Sequence, residues 1–175
     1  MATDATKVLV GAGGKIYRAP LGTTLPTDAT TALDVAFVEL GHITEDGVTE
    51  SNDKSTSNIK NWYGAVVRES TTEQNYKLGF AMMQTDANTL ETYYGDTTAT
   101  DTAWKVAAVQ GIRESWIIDA VDGDKTRRLV VPDGQVTDAG DITSATEDAI
   151  TYPVTVTTYP DGSNVNYYGY IDDGS

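Results

Sequence analysis

Cysteine is absent from this 175-residue chain, which excludes disulfides, thiolate metal sites and cysteine nucleophiles and fits any redox compartment. Histidine occurs once, as His42. A catalytic triad would need a serine and an acid converging on it, and no Gly-x-Ser-x-Gly elbow accompanies it, so a structural role is expected. No segment approaches the ~20 apolar residues that span a bilayer. The N-terminal MATDATKVLVGAGGK lacks a basic region followed by an apolar core, so no secretory signal is expected and cytoplasmic synthesis is the simple reading. No glycine-rich phosphate loop joins a strand to a helix; Gly11, Gly13 and Gly14 fall in a small, polar stretch where flexibility accounts for them. Cations are also scarce. Twelve Lys and Arg face 26 Asp and Glu, a formal charge of −14 that keeps a free chain soluble and argues against gripping nucleic acid, whose affinity comes from neutralised phosphates.

What remains is rich in Thr, Gly, Asp and Tyr, with 39% hydrophobic residues, a mixture suited to a thin β-fold of one domain with much exposed surface. Residues 1–14 read as a flexible arm preceding a single β-rich domain over 15–175. A short strand is expected at 15–18, a Pro- and Thr-rich loop at 19–34, and a buried strand at 35–40, where apolar residues occupy both faces. Residues 41–61 carry Gly41, Glu45, Asp46, Gly47, Glu50 and Asp53 with few large apolar groups, and read as a long loop. Tyr76, Leu78, Phe80 and Met82 alternate with Lys77, Gly79, Ala81 and Met83, the period of a strand, and 64–72 is its expected antiparallel partner. Thr85 or Asp86 would cap a helix whose Ala87, Leu90 and Tyr94 share a face and which Gly95 ends, the one convincing helix in the chain.

Further on, Trp104, Val106 and Ala108 alternate in a β-like way. Residues 115–121 and 126–131 flank Asp122-Gly123-Asp124-Lys125, the pattern of a hairpin. Residues 133–148 read as acidic and turn-rich. Tyr152, Val154 and Val156 follow Ile150 at period two, and Pro153, which cannot donate to a ladder, belongs at an edge or a strand end. In a last strand over 165–171, Val165, Tyr167 and Ile171 would face one way and Tyr168 and Tyr170 the other, so one face is a candidate contact with a neighbouring chain.

Chemistry finds little purchase. Asp119, Asp122 and Asp124 could offer calcium hard oxygen ligands, but their spacing does not match an EF-hand loop and hairpin turns use the same residues. Arg127 and Arg128, the adjacent basic pair, would balance acids across a strand or contact. Trp62, Trp104 and Trp116 could stack on sugars; each lies in or beside a strand pattern, so core packing is the default. No enzyme activity and no cofactor or metal is expected. A secreted or surface β-sandwich that binds carbohydrate is the alternative.

The turn at 41–47 (GHITEDG), the polar segment ending on Trp62, the strands over about 64–83 and the helix TDANTLETYYG stand in an order that resembles the major tail tube protein of long-tailed, non-contractile bacteriophages. The resemblance covers the middle third well and the rest loosely. It lacks the C-terminal Ig-like extension of some relatives. It implies a mainly β, sandwich or barrel-like tail tube fold with one flanking α-helix and a long loop. It also implies a structural virion protein made in the host cytoplasm, whose hexameric rings stack head to tail around a tape measure protein. That column would be bounded by tail terminator and distal tail or baseplate proteins, and DNA would pass without specific binding during ejection. On this resemblance residues 41–61 are the inter-ring loop, with Glu45, Asp46, Gly47, Glu50, Asp53, Lys54 and Trp62 as contacts. Arg68, Glu69, Glu73 and Lys77 lie on lumen strands, and Tyr168 and Tyr170 at a subunit contact.

Overall fold

The computed structural model describes residues 7–108 and 111–174, with the side chains of 71–73 outside that description. Residues 1–6 of the expected arm lie outside the described residues.

The chain forms β1 (Gly13–Pro20), β2 (Val38–Glu39), β3 (Ile43–Lys60), β4 (Val66–Met82), α1 (Ala87–Tyr94), β5 (Arg113–Asp122), β6 (Lys125–Ala139), β7 (Tyr152–Thr158) and β8 (Tyr168–Asp172). All pairings are antiparallel, in the order β2-β1-β5-β6-β7-β4-β3, with β8 also on β6. β6 organises the fold. β5 follows it from Lys125 to Gln135, while its other edge pairs first with β8 over 126–130 and then with β7 over 134–139. The sheet therefore curls about β6, and the faces of β1, β5 and β6 meet those of β4 and β7. Ile16, Trp116, Ile118, Leu129 and Val131 from one side pack with Leu78, Phe80, Met82, Tyr152, Val154 and Val156 from the other. Period-two alternation puts these residues on one face of each strand.

The helix forms where the sequence predicts. The Asp86 side chain accepts from Thr89 N at 2.8 Å, Gly95 ends the helix at φ 70°, and Leu90 is buried in the core. It closes one end of the curled sheet. Arg18 of β1 donates to Glu114 of β5 at 2.8 Å and to Glu91 of α1, and Tyr93 donates its hydroxyl to the Gly140 carbonyl. Outside the sheet, the loop at 21–37 lies over β6: Pro26 and Ala29 are buried, and the Arg128 guanidinium donates to the Thr31 carbonyl at 2.7 Å.

The 122–125 hairpin forms as expected, Asp122 pairing with Lys125, and Pro153 sits one residue inside the start of β7. Other expectations fail for local reasons. Residues 35–40 do not make a buried strand. Asp34 accepts from Ala36 N and Phe37 N in a turn, which leaves Val35 fully exposed and only Leu40 in the core. Residues 64–72 are not the partner of 76–82: from Val66 on they belong to the same strand, because no turn residue interrupts the Ser-Thr-Thr-Glu run between them. The partner is the supposed loop at 41–61, which is the 18-residue β3. Its polar, two-faced sequence carries no burial signal, and backbone pairing to β4 defines it.

The alternation at 104–108 gives no strand, since the Asp96 carboxylate takes the backbone N–H groups of Thr98 and Lys105 instead. The turn-rich reading of 133–148 holds only beyond Ala139, because β6 continues past a bulge at Val136–Asp138 to pair with β7. Of the three tryptophans only Trp116 is core. Trp104 is 48% exposed and stacks on Tyr94, and Trp62 is 99% exposed. Ile150 is exposed and lies before β7. Ile171 shares the face of Tyr167 but lies past the edge of the core, 64% exposed.

Candidate functional site

Two features of the surface stand apart from the core. The first is a ribbon. β7 covers β4 only from Lys77 onward, and Tyr76, opposite Asn52, still packs edge-on against Tyr167, so residues 53–60 of β3 and their partners on β4 form a two-stranded arm whose described side chains are almost all exposed. At about 3.3 Å per residue the arm extends roughly 30 Å from the body. Its shaft is polar: Asn52, Lys54, Ser55, Thr56 and Ser57, with Lys77 paired to Asp53 at 3.1 Å near its root.

The tip is different. The Asn61 side chain accepts from Tyr63 N and Ala65 N, both at 3.0 Å, and its carbonyl from Gly64 N at 2.9 Å. Gly64 takes φ 81°, which L side chains rarely adopt, and the chain reverses. This turn holds Trp62 and Tyr63 out in solvent at 99% and 92% exposure, beside exposed Ile59, Val66 and Val67. Among the described residues, the flanking Lys60 and Arg68 make no ion pair. A hairpin of this kind has marginal stability by itself, and the exposed aromatic and aliphatic cluster at its end is the kind of surface through which proteins associate.

The second feature is a cleft of about 770 Å³ at the end of the curled sheet opposite the helix. Its floor is apolar, made by Ile16, Ile118 and Leu129. Its rim is acidic. Glu39, Glu45, Asp46, Glu50 and Asp122 line it. The register of β3 on β4 jumps from Ile43/Met82 to Val48/Phe80, so residues 44–47 bulge out and place Glu45 and Asp46 at the opening. Lys15 pairs with Glu39 at 2.9 Å, and Arg127 binds both oxygens of Glu50, a hydrogen bond that pushes the Arg127 guanidinium further up. Glu45 and Asp46 have no cationic partner among the described residues.

The structure therefore unites the two sets of residues the sequence kept apart. Glu45, Asp46, Gly47 and Glu50 line the cleft at the root of the arm, Asp53 and Lys54 lie along its shaft and Trp62 at its tip. Arg68, Glu69, Glu73 and Lys77 are on the facing strand of the same ribbon, opposite Ile59, Asn58, Ser55 and Ser51. The side chain of Glu73 is outside the described set. Tyr168 and Tyr170 are half-buried on β8, and Tyr168 donates its hydroxyl to Asp161 within the chain at 2.7 Å. Tyr63 and the apolar flank of the tip were missed by sequence reasoning, although the Asn-x-x-Gly turn spacing at 61–64 signals the reversal.

Of the Asp119, Asp122 and Asp124 cluster, the first two carboxylates are used internally. Asp119 takes two 2.8 Å bonds from Arg128, and Asp122 accepts from Val10 N at 3.0 Å. Among the described residues no group of three or more acids or imidazoles is placed to hold a metal. His42 is exposed, and its carbonyl accepts from Met83 N. No described helix is long and apolar enough to cross a membrane.

The sequence model of the family described as "Phage tail tube protein" matches residues 1–174. No curated protein matches the chain. A chain from a solved cryo-EM structure of the anti-feeding prophage (AFP) baseplate, six-fold symmetrised, is 10% identical to it. The match covers 100% of this chain and 99% of that one at a TM-score of 0.43, a likeness too slight to argue from.

Proposed function

The chain belongs to the phage tail tube protein family and is a structural tail protein, and from that premise we propose that it builds the tube itself. In this reading copies close into hexameric rings and the rings stack head to tail into a conduit through which the genome leaves a long, non-contractile tail. The ribbon carries the reading. A subunit that extends 30 Å of bare two-stranded arm, ending in exposed Trp62 and Tyr63, leaves apolar and backbone surface that a neighbouring subunit would cover. A contact between unlike surfaces of identical chains closes into a ring when its rotation allows and otherwise propagates as a column, which is what a contact directed from one ring to the next would do.

The distal arm reaches the next ring, and the wall around Lys77, where β4 joins the body, belongs to the ring's own sheet. Tyr168 and Tyr170 lie where neighbours in a ring would meet. A charge of −14 suits a bore that repels phosphates and lets DNA slide. The tape measure protein would occupy that bore before ejection, with terminator and distal tail proteins at the two ends.

Negative-stain microscopy of concentrated protein tests the reading, with stacked rings or tubes as the expected result. A variant in which 54–74 is replaced by a two-residue Asn-Gly turn should remain a folded monomer and form none, because the removed pairs lie outside the core. Tubes of normal length from that variant would show that the arm is not the connector.

A further inference from the structure

The arm and the cleft carry opposite chemistry. Residues 58–68 hold Lys60 and Arg68, no acid, and the exposed Ile59, Trp62, Tyr63, Val66 and Val67, on a chain that is otherwise strongly acidic. The cleft has an apolar floor and an acidic rim with Glu45 and Asp46 uncompensated among the described residues. Its volume lies in the range that accepts a group of ligand size, about 300–1,000 Å³.

The arm's root lines the cleft while its tip lies 12 residues of β3 further on, from Val48 to Lys60, or about 40 Å. One molecule cannot fold its own tip back into its own cleft without unzipping the ribbon.

We propose that the aromatic, basic tip of one copy plugs the acid-rimmed cleft of the next, with Trp62 and Tyr63 on the apolar floor and Lys60 and Arg68 against Glu45 and Asp46. This rests on the self-assembly reading and names the two surfaces it would use. Both halves of the contact are present on every subunit, at opposite ends of one element. Aromatic anchors in a desolvated pocket supply the strength of such contacts, and charge complementarity supplies the register and the encounter rate.

The lack of native cysteine makes the test direct. A chain carrying Ala65→Cys and Val10→Cys, Ala65 being exposed at the tip and Val10 at the cleft, keeps both aromatic anchors and can bridge only between molecules, because a disulfide needs Cα atoms within about 7 Å. Oxidised tubes should give a ladder of multimers on denaturing gels, and either single variant should not. Charge reversal gives a second readout that needs no new bond. Lys60→Glu with Arg68→Glu, or Glu45→Lys with Asp46→Lys, should each raise the concentration needed for assembly about tenfold or more, and combining the four should restore it. Tubes that form without the ladder, or with disulfide dimers from Ala65→Cys alone (tips meeting tips), overturn the proposed contact and leave tube formation standing. Failure of the unmodified protein to associate at any concentration defeats both.

Discussion

Two of the arginines, Arg18 and Arg128, are buried inside the molecule. Arg128 lies between β6 and the loop over it, holding Asp119 with two bonds and the Thr31 carbonyl with a third. Arg18 lies between two carboxylates, and burial pushes Glu114 up while the guanidinium pulls it partly back. Removing the cation leaves like charges facing each other in a desolvated place, so Arg18→Met should cost about 3 kcal/mol in chemical denaturation. The loop over β6 has its own pH dependence. The Thr31 hydroxyl and the Thr30 and Thr31 backbone N–H groups hold the Asp28 carboxyl down to about 2, against an ordinary 3.8. A depressed acid contributes fully above its unfolded value and loses that contribution as pH falls through the folded one. A carboxyl titration followed by NMR should therefore find Asp28 still ionised at pH 3, with the amides of Thr30 and Thr31 losing protection only near pH 2. A midpoint near 4 would mean the turn does not form.

Elements were legible where burial writes a period into the sequence. The Asp86-to-Gly95 helix, the hairpin around Gly123 and the alternation of β4 and β7 are all declared by residues that face a core on one side and solvent on the other. Asp86→Ala should cost about 1 kcal/mol, the worth of one cap bond. Gly134→Ala should cost more. A methyl there would stand 2.9 Å from both Trp116 Cδ1 and Val156 Cγ1, at the point where β6 passes from β8 to β7. Thermal denaturation of the two variants should rank them in that order. The candidate site was half legible. Glu45, Asp46, Gly47, Glu50 and Trp62 were picked out as contacts, but as parts of a loop. A ribbon with solvent on both faces has no hydrophobic period, and its definition comes from a partner strand that local pattern cannot reveal. The buried strand expected at 35–40 failed in the opposite sense, since apolar composition was present but Asp34 committed the backbone to a turn.

For the whole molecule, the proposed plug-and-cleft contact sets a length and a salt dependence. Successive copies joined tip to root cannot be further apart along the arm than about 40 Å. A cryo-EM reconstruction of the tubes should therefore show an axial repeat at or below that value; a longer repeat rules the arm out as the bridge. Because Lys60 and Arg68 meet carboxylates near the surface, assembly should weaken between low salt and 0.5 M salt and recover little from temperature alone. Every column built this way also has two unlike faces. At one, greasy, positively charged fingers stand unsheathed; at the other, negative hollows gape. Whatever seals the first must supply acids around an oily recess, and whatever starts the second must offer an aromatic prong, so no one protein could close both ends.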